Sequence, residues 1–278
     1  YRDALLAGAG TRAQLEGMLT IVRGTRLDQP AQDDLFARQA ALLKQNLDPA
    51  LQLDLLRLIE LTYLLGPSKA EASASKEFRP LLMAIFSEKV DTPVNRETAR
   101  LLAYLDEPAA VSAILAHQEA VADTVSQIHD TYCLRVMKSG WDSASKKQFW
   151  SWFDRACTWD GGYSYLGFLD MMLRDWLPVV TSQEREELLA EGEAHPFPTR
   201  VLVREMDVDK DPAGVPTLTG LYERLVQSKA GGPHADDLKG TILERLGRST
   251  SDSARVALRT LMAADPNSRG RLIRAMAE

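Results

Sequence analysis

Apolar residues recur at three- and four-residue intervals along most of this chain, and that period dictates helices. Between Ala50 and Leu65, the side chains of Leu51, Leu55, Leu58, Ile59 and Leu65 fall on one stripe of an α-helix. Asn95–Leu105 repeats the pattern with Ala99, Leu102 and Leu105. Sustained strand alternation is absent. The one β-like run, Arg200–Val203 (RVLV), is too short to build a sheet. The expected class is all-α.

Helix punctuation returns at short intervals. Asp48-Pro49, Glu107-Pro108 and Asp265-Pro266 each mark a helix start, with proline suited to the first turn and the acidic side chain to free N–H groups. Asp91, Ser143, Thr181, Asp236 and Ser251 are further expected N-caps, and Thr181 with Glu184 fits a capping box. The segment 95–117 (NRETARLLAYLDEPAAVSAILAH) reads as helix, Asp-x-Pro turn, helix. The segment 251–277 repeats that grammar. A period of roughly 40 residues is the signature of HEAT or armadillo arrays, whose units bury their apolar faces only against neighbours. The expected architecture is an α-solenoid of stacked antiparallel helix pairs. Ala194–Pro216 is rich in proline and charge, so two blocks are expected, 1–193 and 217–278, joined by an irregular linker at 194–216.

Bulk properties exclude several classes. Hydrophobic residues at 45% and charged residues at 26% describe a folded chain, not a disordered one. A net charge of −6 without a basic block argues against nucleic acid, which needs clustered positive charge. No apolar run is long enough to span a bilayer. The opening segment from Tyr1 reads as an amphipathic helix and not as a signal peptide, so a processed chain or a piece of a longer protein is expected. Cys133 and Cys157 fall roughly 13 Å out of register if 121–138 and 143–157 pair as a hairpin. That is too far for a disulfide, and two buried thiols are expected.

Within 95–189, the runs ARLLAYLDEPAAV, QIHDTYCLRVMKSGW, FWSWFDRA and WDGGYSYLGFLDMMLRDWL carry a more specific signal. They resemble a HEAT-repeat region of large secreted bacterial proteins that also hold a sugar-dehydrogenase-like β-propeller and a haem c domain. The resemblance implies an α-solenoid in a periplasmic or extracellular setting, with a cytoplasmic one as the alternative. The haem-attaching Cys-x-x-Cys-His and the propeller are both missing from this sequence, so no haem and no catalytic residue carries over.

All five tryptophans, Trp141, Trp150, Trp152, Trp159 and Trp176, cluster in one stretch with Tyr163 and Tyr165 among them. The crowding reads first as a thickened core. Its functional alternative is a partner surface formed by Trp141, Trp150, Trp152, Trp159, Tyr163 and Tyr165. Trp150 and Trp152 stand about 200° apart on one helix, so at least one should turn away from the main core. Asp207-x-Asp209-x-Asp211 imitates the start of an EF-hand, but Pro212 and Leu218 replace the glycine and glutamate that such a loop needs. The three aspartates remain a weak metal candidate beside the default of a solvated acidic loop. No paired histidines, P-loop, dinucleotide fingerprint or nucleophile elbow occurs. The expectation is a scaffold that binds protein and carries neither catalytic residues nor a cofactor. The alternatives are the helical part of a haem- or quinone-dependent dehydrogenase and a glycan-binding module using the tryptophans.

Overall fold

The computed structural model describes residues 6, 10–87, 89, 92–211, 213–228, 232–264 and 270, with backbone alone at 262 and 264. Among these residues there are fourteen α-helices and no strand, so the chain is all-α. The molecule divides into two compact units, residues 1–145 and 146–278.

Unit 1 holds α1 (Thr11–Gly24), α2 (Gln29–Leu43), α3 (Pro49–Leu65), α4 (Ser75–Ile85), α5 (Pro93–Tyr104), α6 (Ala110–Ala120) and α7 (Thr124–Leu134). The odd-numbered helices pack in succession, α1 on α3, α3 on α5 and α5 on α7. The even-numbered helices back them, with α2 on α3 and α4, α4 on α5, and α6 between α5 and α7. Arg57 on α3 reaches Glu97 on α5, and Glu60 reaches Arg100, each partner 40 residues further along the chain. The same offset at two points one turn apart means that α3 and α5 run parallel and in register.

Local sequence explains the helix starts. Asp48 accepts from the backbone N–H of both Ala50 and Leu51 at 3.0 Å, with Pro49 opening the first turn. Thr92 caps α5, and the expected cap at Asp91 lies outside the described residues. The Glu107 carboxylate accepts from Ala109 N–H just ahead of α6.

The core of unit 1 centres on Phe36, Tyr63 and Phe78, whose rings lie 4.5 to 6.2 Å apart and hold α2, α3 and α4 together. Leu55, Leu58 and Ile59 are buried as their spacing requires, but Leu65 is exposed. The apolar stripe drifts off it in the last turn, where Tyr63 takes over the inward position. Between α5 and α6, Asp106 adopts a positive φ of 52° and accepts hydrogen bonds from Lys138 N, Ser139 N and Ser139 Oγ. Beside it Gly140 lies so close to the chain that a Cβ would stand 2.1 Å from the Pro108 carbonyl oxygen. Only glycine fits there.

Unit 2 begins within α8 (Ser143–Ala156) and continues through α9 (Tyr165–Trp176), α10 (Ser182–Ala190), α11 (Pro196–Glu205), α12 (Gly214–Gln227), α13 (Pro233–Arg248) and α14 (Asp252–Ala264). Here too one row runs through α9, α11 and α13, and another through α10, α12 and α14. The cap of α8 is Asp142, which accepts from Ser145 N–H, and not Ser143. Thr181 and Glu184 form the expected capping box, and Ser251 Oγ accepts from Ala254 N–H. Helix α13 starts at Pro233, ahead of Asp236, which sits in its first turn. The turn at Asp265-Pro266 lies outside the described residues.

The segment 194–216 is not an irregular linker. It lies within unit 2, and α11 occupies Pro196–Glu205 with Phe197, Val201, Leu202 and Val203 fully buried. The run RVLV is therefore helical. Its apolar residues face neighbours on several sides of α11, which is why no 3.6-residue stripe shows there.

Candidate functional site

The aromatic stretch is core. Trp150 and Trp152 are 1% and 2% exposed, so neither offers a surface to a partner. Their divergence on α8 is met from two directions. Trp150 packs on Trp176 of α9 at 6.3 Å between ring centroids, while Trp152 meets Trp159 edge-on at 5.6 Å. Tyr165 is buried as well, its hydroxyl donating to the Ala156 carbonyl at 3.0 Å. Trp141 is half-buried, its indole N–H donating to the Met137 carbonyl at 2.9 Å, and Trp159 is half-buried too. Of the six candidates, Tyr163 alone is fully exposed. The stretch is the thickened core that its crowding first suggested, and the alternative, a partner surface of six aromatic residues, is not assembled.

The three aspartates do not converge either. Asp207 pairs with Lys210 at 2.7 Å, Asp209 accepts from Ser249 Oγ and from the backbone and hydroxyl of Thr250, and Asp211 accepts from Ala213 N–H at 2.9 Å. Among the described residues no group of three acidic, histidine or cysteine side chains is placed to hold a metal. Both cysteines are free, buried thiols. Burial pushes the Cys133 thiol up, and burial with the Asp154 charge raises Cys157 to about 11, so neither is a ready nucleophile.

The feature that the sequence did not reveal is a ladder of charges across α3 and α5. Arg57 Nε lies 3.2 Å from Glu97 Oε1, Arg100 Nη1 lies 3.2 Å from Glu97 Oε2, and the same nitrogen is 3.5 Å from Glu60 Oε2. The two partners of each pair sit at different depths. The side chains of Arg57 and Arg100 are 55% and 50% exposed, whereas those of Glu97 and Glu60 are 9% and 25% exposed. The carboxylates are sunk between the helices and the guanidinium groups form the outer surface. Pairing between helices 40 residues apart leaves no trace in any single helix, which is why a pass along the chain misses it.

Burial raises the Glu60 carboxyl from its usual range to about 7; Arg100 opposes this, the neighbouring Glu97 adds to it, and Arg57 opposes it more weakly. Next to them a groove of about 420 Å³ opens, walled by Leu61, Leu64, Leu101 and Tyr104, with Glu60 and Arg100 at its polar end. Leu64 is 70% exposed and Tyr104 is partly exposed. Lys69, which also borders the groove, is already engaged, donating to the carbonyls of Tyr63, Leu64 and Gly66 at the end of α3. The groove is an apolar trough with the half-exposed Arg100 at its edge, while Arg57 lines a neighbouring groove one turn earlier on α3.

Unit 2 carries a second set of cross-helix pairs. Asp170 on α9 accepts from Arg200 at 3.0 Å and from Arg204, both on α11, and Asp154 on α8 pairs with His195. These pairs anchor helices to one another, and Arg204 also borders a groove of about 360 Å³ with Asp209, Arg245 and Arg248.

No protein-family model matches the chain, and no curated protein or solved structure shows significant similarity to it. No described helix is long and apolar enough to cross a membrane.

Proposed function

We propose that this chain is a non-catalytic scaffold of the HEAT-repeat kind, an α-solenoid that holds a protein partner within a larger extracytoplasmic assembly. The observation that carries the reading is the repeat register. Other cross-helix pairs span about 30 residues, Arg96 with Ser126 and Asp170 with Arg200, whereas Arg57 meets Glu97, Glu60 meets Arg100 and the loop residue Asp209 meets Ser249 across 40. That is the period at which HEAT units stack, and such stacks present long preformed surfaces whose ordering cost is met on folding. Support also comes from the large apolar side chains left outside on α3 and α5, namely Leu64, Leu65 and Tyr104. Exposed apolar patches of this kind are a mark of interaction sites. The extracytoplasmic setting follows from the resemblance of 95–189 to secreted bacterial proteins.

The test is reconstitution. The full chain is used as bait in native envelope and cytosolic extracts, and any retained protein is purified and rebound at defined stoichiometry. A saturable complex with an envelope protein supports the reading. Failure of every retained protein to rebind when purified overturns it, and rebinding of a cytosolic protein alone overturns the compartment.

A further inference from the structure

The groove in unit 1 has a charge pattern that selects its occupant. Arg57 uses Nε toward Glu97, and Arg100 uses Nη1 toward Glu97 and Glu60, so each half-exposed guanidinium keeps N–H groups that these pairs do not use. Because Glu60 and Glu97 lie deep, a molecule approaching this surface meets positive charge first. The partial negative charge at the end of α3 is offset by the Lys69 amine on its last carbonyls. Apolar walls and half-exposed guanidinium groups stand side by side, and an arginine fork matches a carboxylate better than any other peptide group.

We propose that this surface takes an acidic amphipathic segment of a partner protein, its apolar side chains in the groove between α3 and α5 and its carboxylates on Arg57 and Arg100. The assignment rests on the scaffold reading and names the kind of partner. Helix-in-groove recognition supplies the mode, with apolar anchors three and four residues apart filling the trough and acidic residues flanking them.

The charged groups around Glu60 set a pH dependence. Glu97 and Arg100 face it from α5 and Arg57 from its own helix, while Asp54 and Arg57 share a neighbouring groove with Arg12, Glu16 and Arg23 of α1. From α7, Asp130 and Cys133 lie within reach of the same cluster. Helix α2 meets α3 with the neutral amides of Gln32 and Gln39. With Glu60 titrating near 7, protonation releases Arg100 from one of its two carboxylates. An acidic ligand then meets a guanidinium paired with Glu97 alone, and binding tightens as pH falls.

The experiment uses the full chain and two synthetic amphipathic peptides with the same leucine spacing, one with glutamate and one with lysine at its polar positions. Fluorescence anisotropy is expected to give the glutamate peptide at least about tenfold tighter binding, a difference of about 1.4 kcal/mol. Its affinity should rise several-fold from about pH 8 to about pH 6. Glu60→Gln should tighten binding near pH 8 and flatten that dependence. Leu64→Asp, a change on an exposed side chain that leaves the core intact, should abolish binding, with helicity by circular dichroism unchanged. Equal or tighter binding of the lysine peptide overturns the proposal, as does glutamate-peptide binding insensitive to Leu64→Asp. If neither peptide binds while a purified partner still does, the groove assignment fails and the scaffold reading stands.

Discussion

His117 Nδ1 lies 2.6 Å from Asp130 Oδ2 with both side chains almost fully buried, and this contact ties α6 to α7. Removing one partner of a buried polar pair leaves the other desolvated without its counterpart. Asp130→Ala is therefore expected to destabilise unit 1 by about 3 kcal/mol. Asp130→Asn, which keeps an acceptor in place, should cost about 1 kcal/mol. Urea unfolding of the two variants checks this, and equal losses would contradict the role given to the carboxylate.

The aromatic stretch separates structural from exposed residues. Trp150→Ala removes a buried ring from its contact with Trp176 and is expected to cost about 3–5 kcal/mol. Tyr163→Ala should stay within about 0.5 kcal/mol, since that side chain is fully exposed. Thermal unfolding distinguishes the two, and a silent Trp150→Ala would return the tryptophans to the list of surface candidates.

His195 is a pH-dependent clasp between the start of α11 and α8. Its hydrogen bond with Asp154 raises its pKa above the ordinary value of 6.5, burial opposes this, and the charges of Asp154 and Glu191 add to it. The folded value exceeds the unfolded one, so the stabilisation is complete below 6.5 and is lost as pH rises through the folded value. The stability difference between the native chain and His195→Gln should shrink between about pH 6 and about pH 9. A difference that grows over that range would reverse the assignment.

Calcium should not bind the acidic loop. Asp209 serves Ser249 and Thr250, and Asp207 and Asp211 have other partners. Millimolar calcium or a chelator is expected to leave the melting temperature unchanged. Asp209→Ala should lower the melting temperature slightly through loss of its hydrogen bonds to Ser249 and Thr250, and a calcium-dependent rise in melting temperature would refute this account.

Much of the fold was legible because its signals are local. The caps at Asp48 and Thr181 and the burial of Leu55, Leu58 and Ile59 follow from residues a few positions apart. What escaped depends on neighbours. Proline and charge at 194–216 suggested a linker, yet Pro196 opens α11, whose apolar residues are covered by other helices on several sides. The argument that Trp150 and Trp152 diverge was geometrically sound, but a helix enclosed by Trp176 on one side and Trp159 on another buries both. The arginine–glutamate ladder was invisible because its members belong to different helices, and depth, which decides which charge faces outward, is not written in spacing.

The substantial helix pairings in each unit join a helix to the next one or the next but one. Such a chain closes only short loops as it folds, so the entropy lost in bringing partners together stays small at every step. Each unit is therefore expected to assemble by accretion, one helix onto the last, without waiting for distant segments to meet. It should also open unevenly, with amides in α3 and α5, each packed on both sides within its row, among the last of unit 1 to exchange hydrogen.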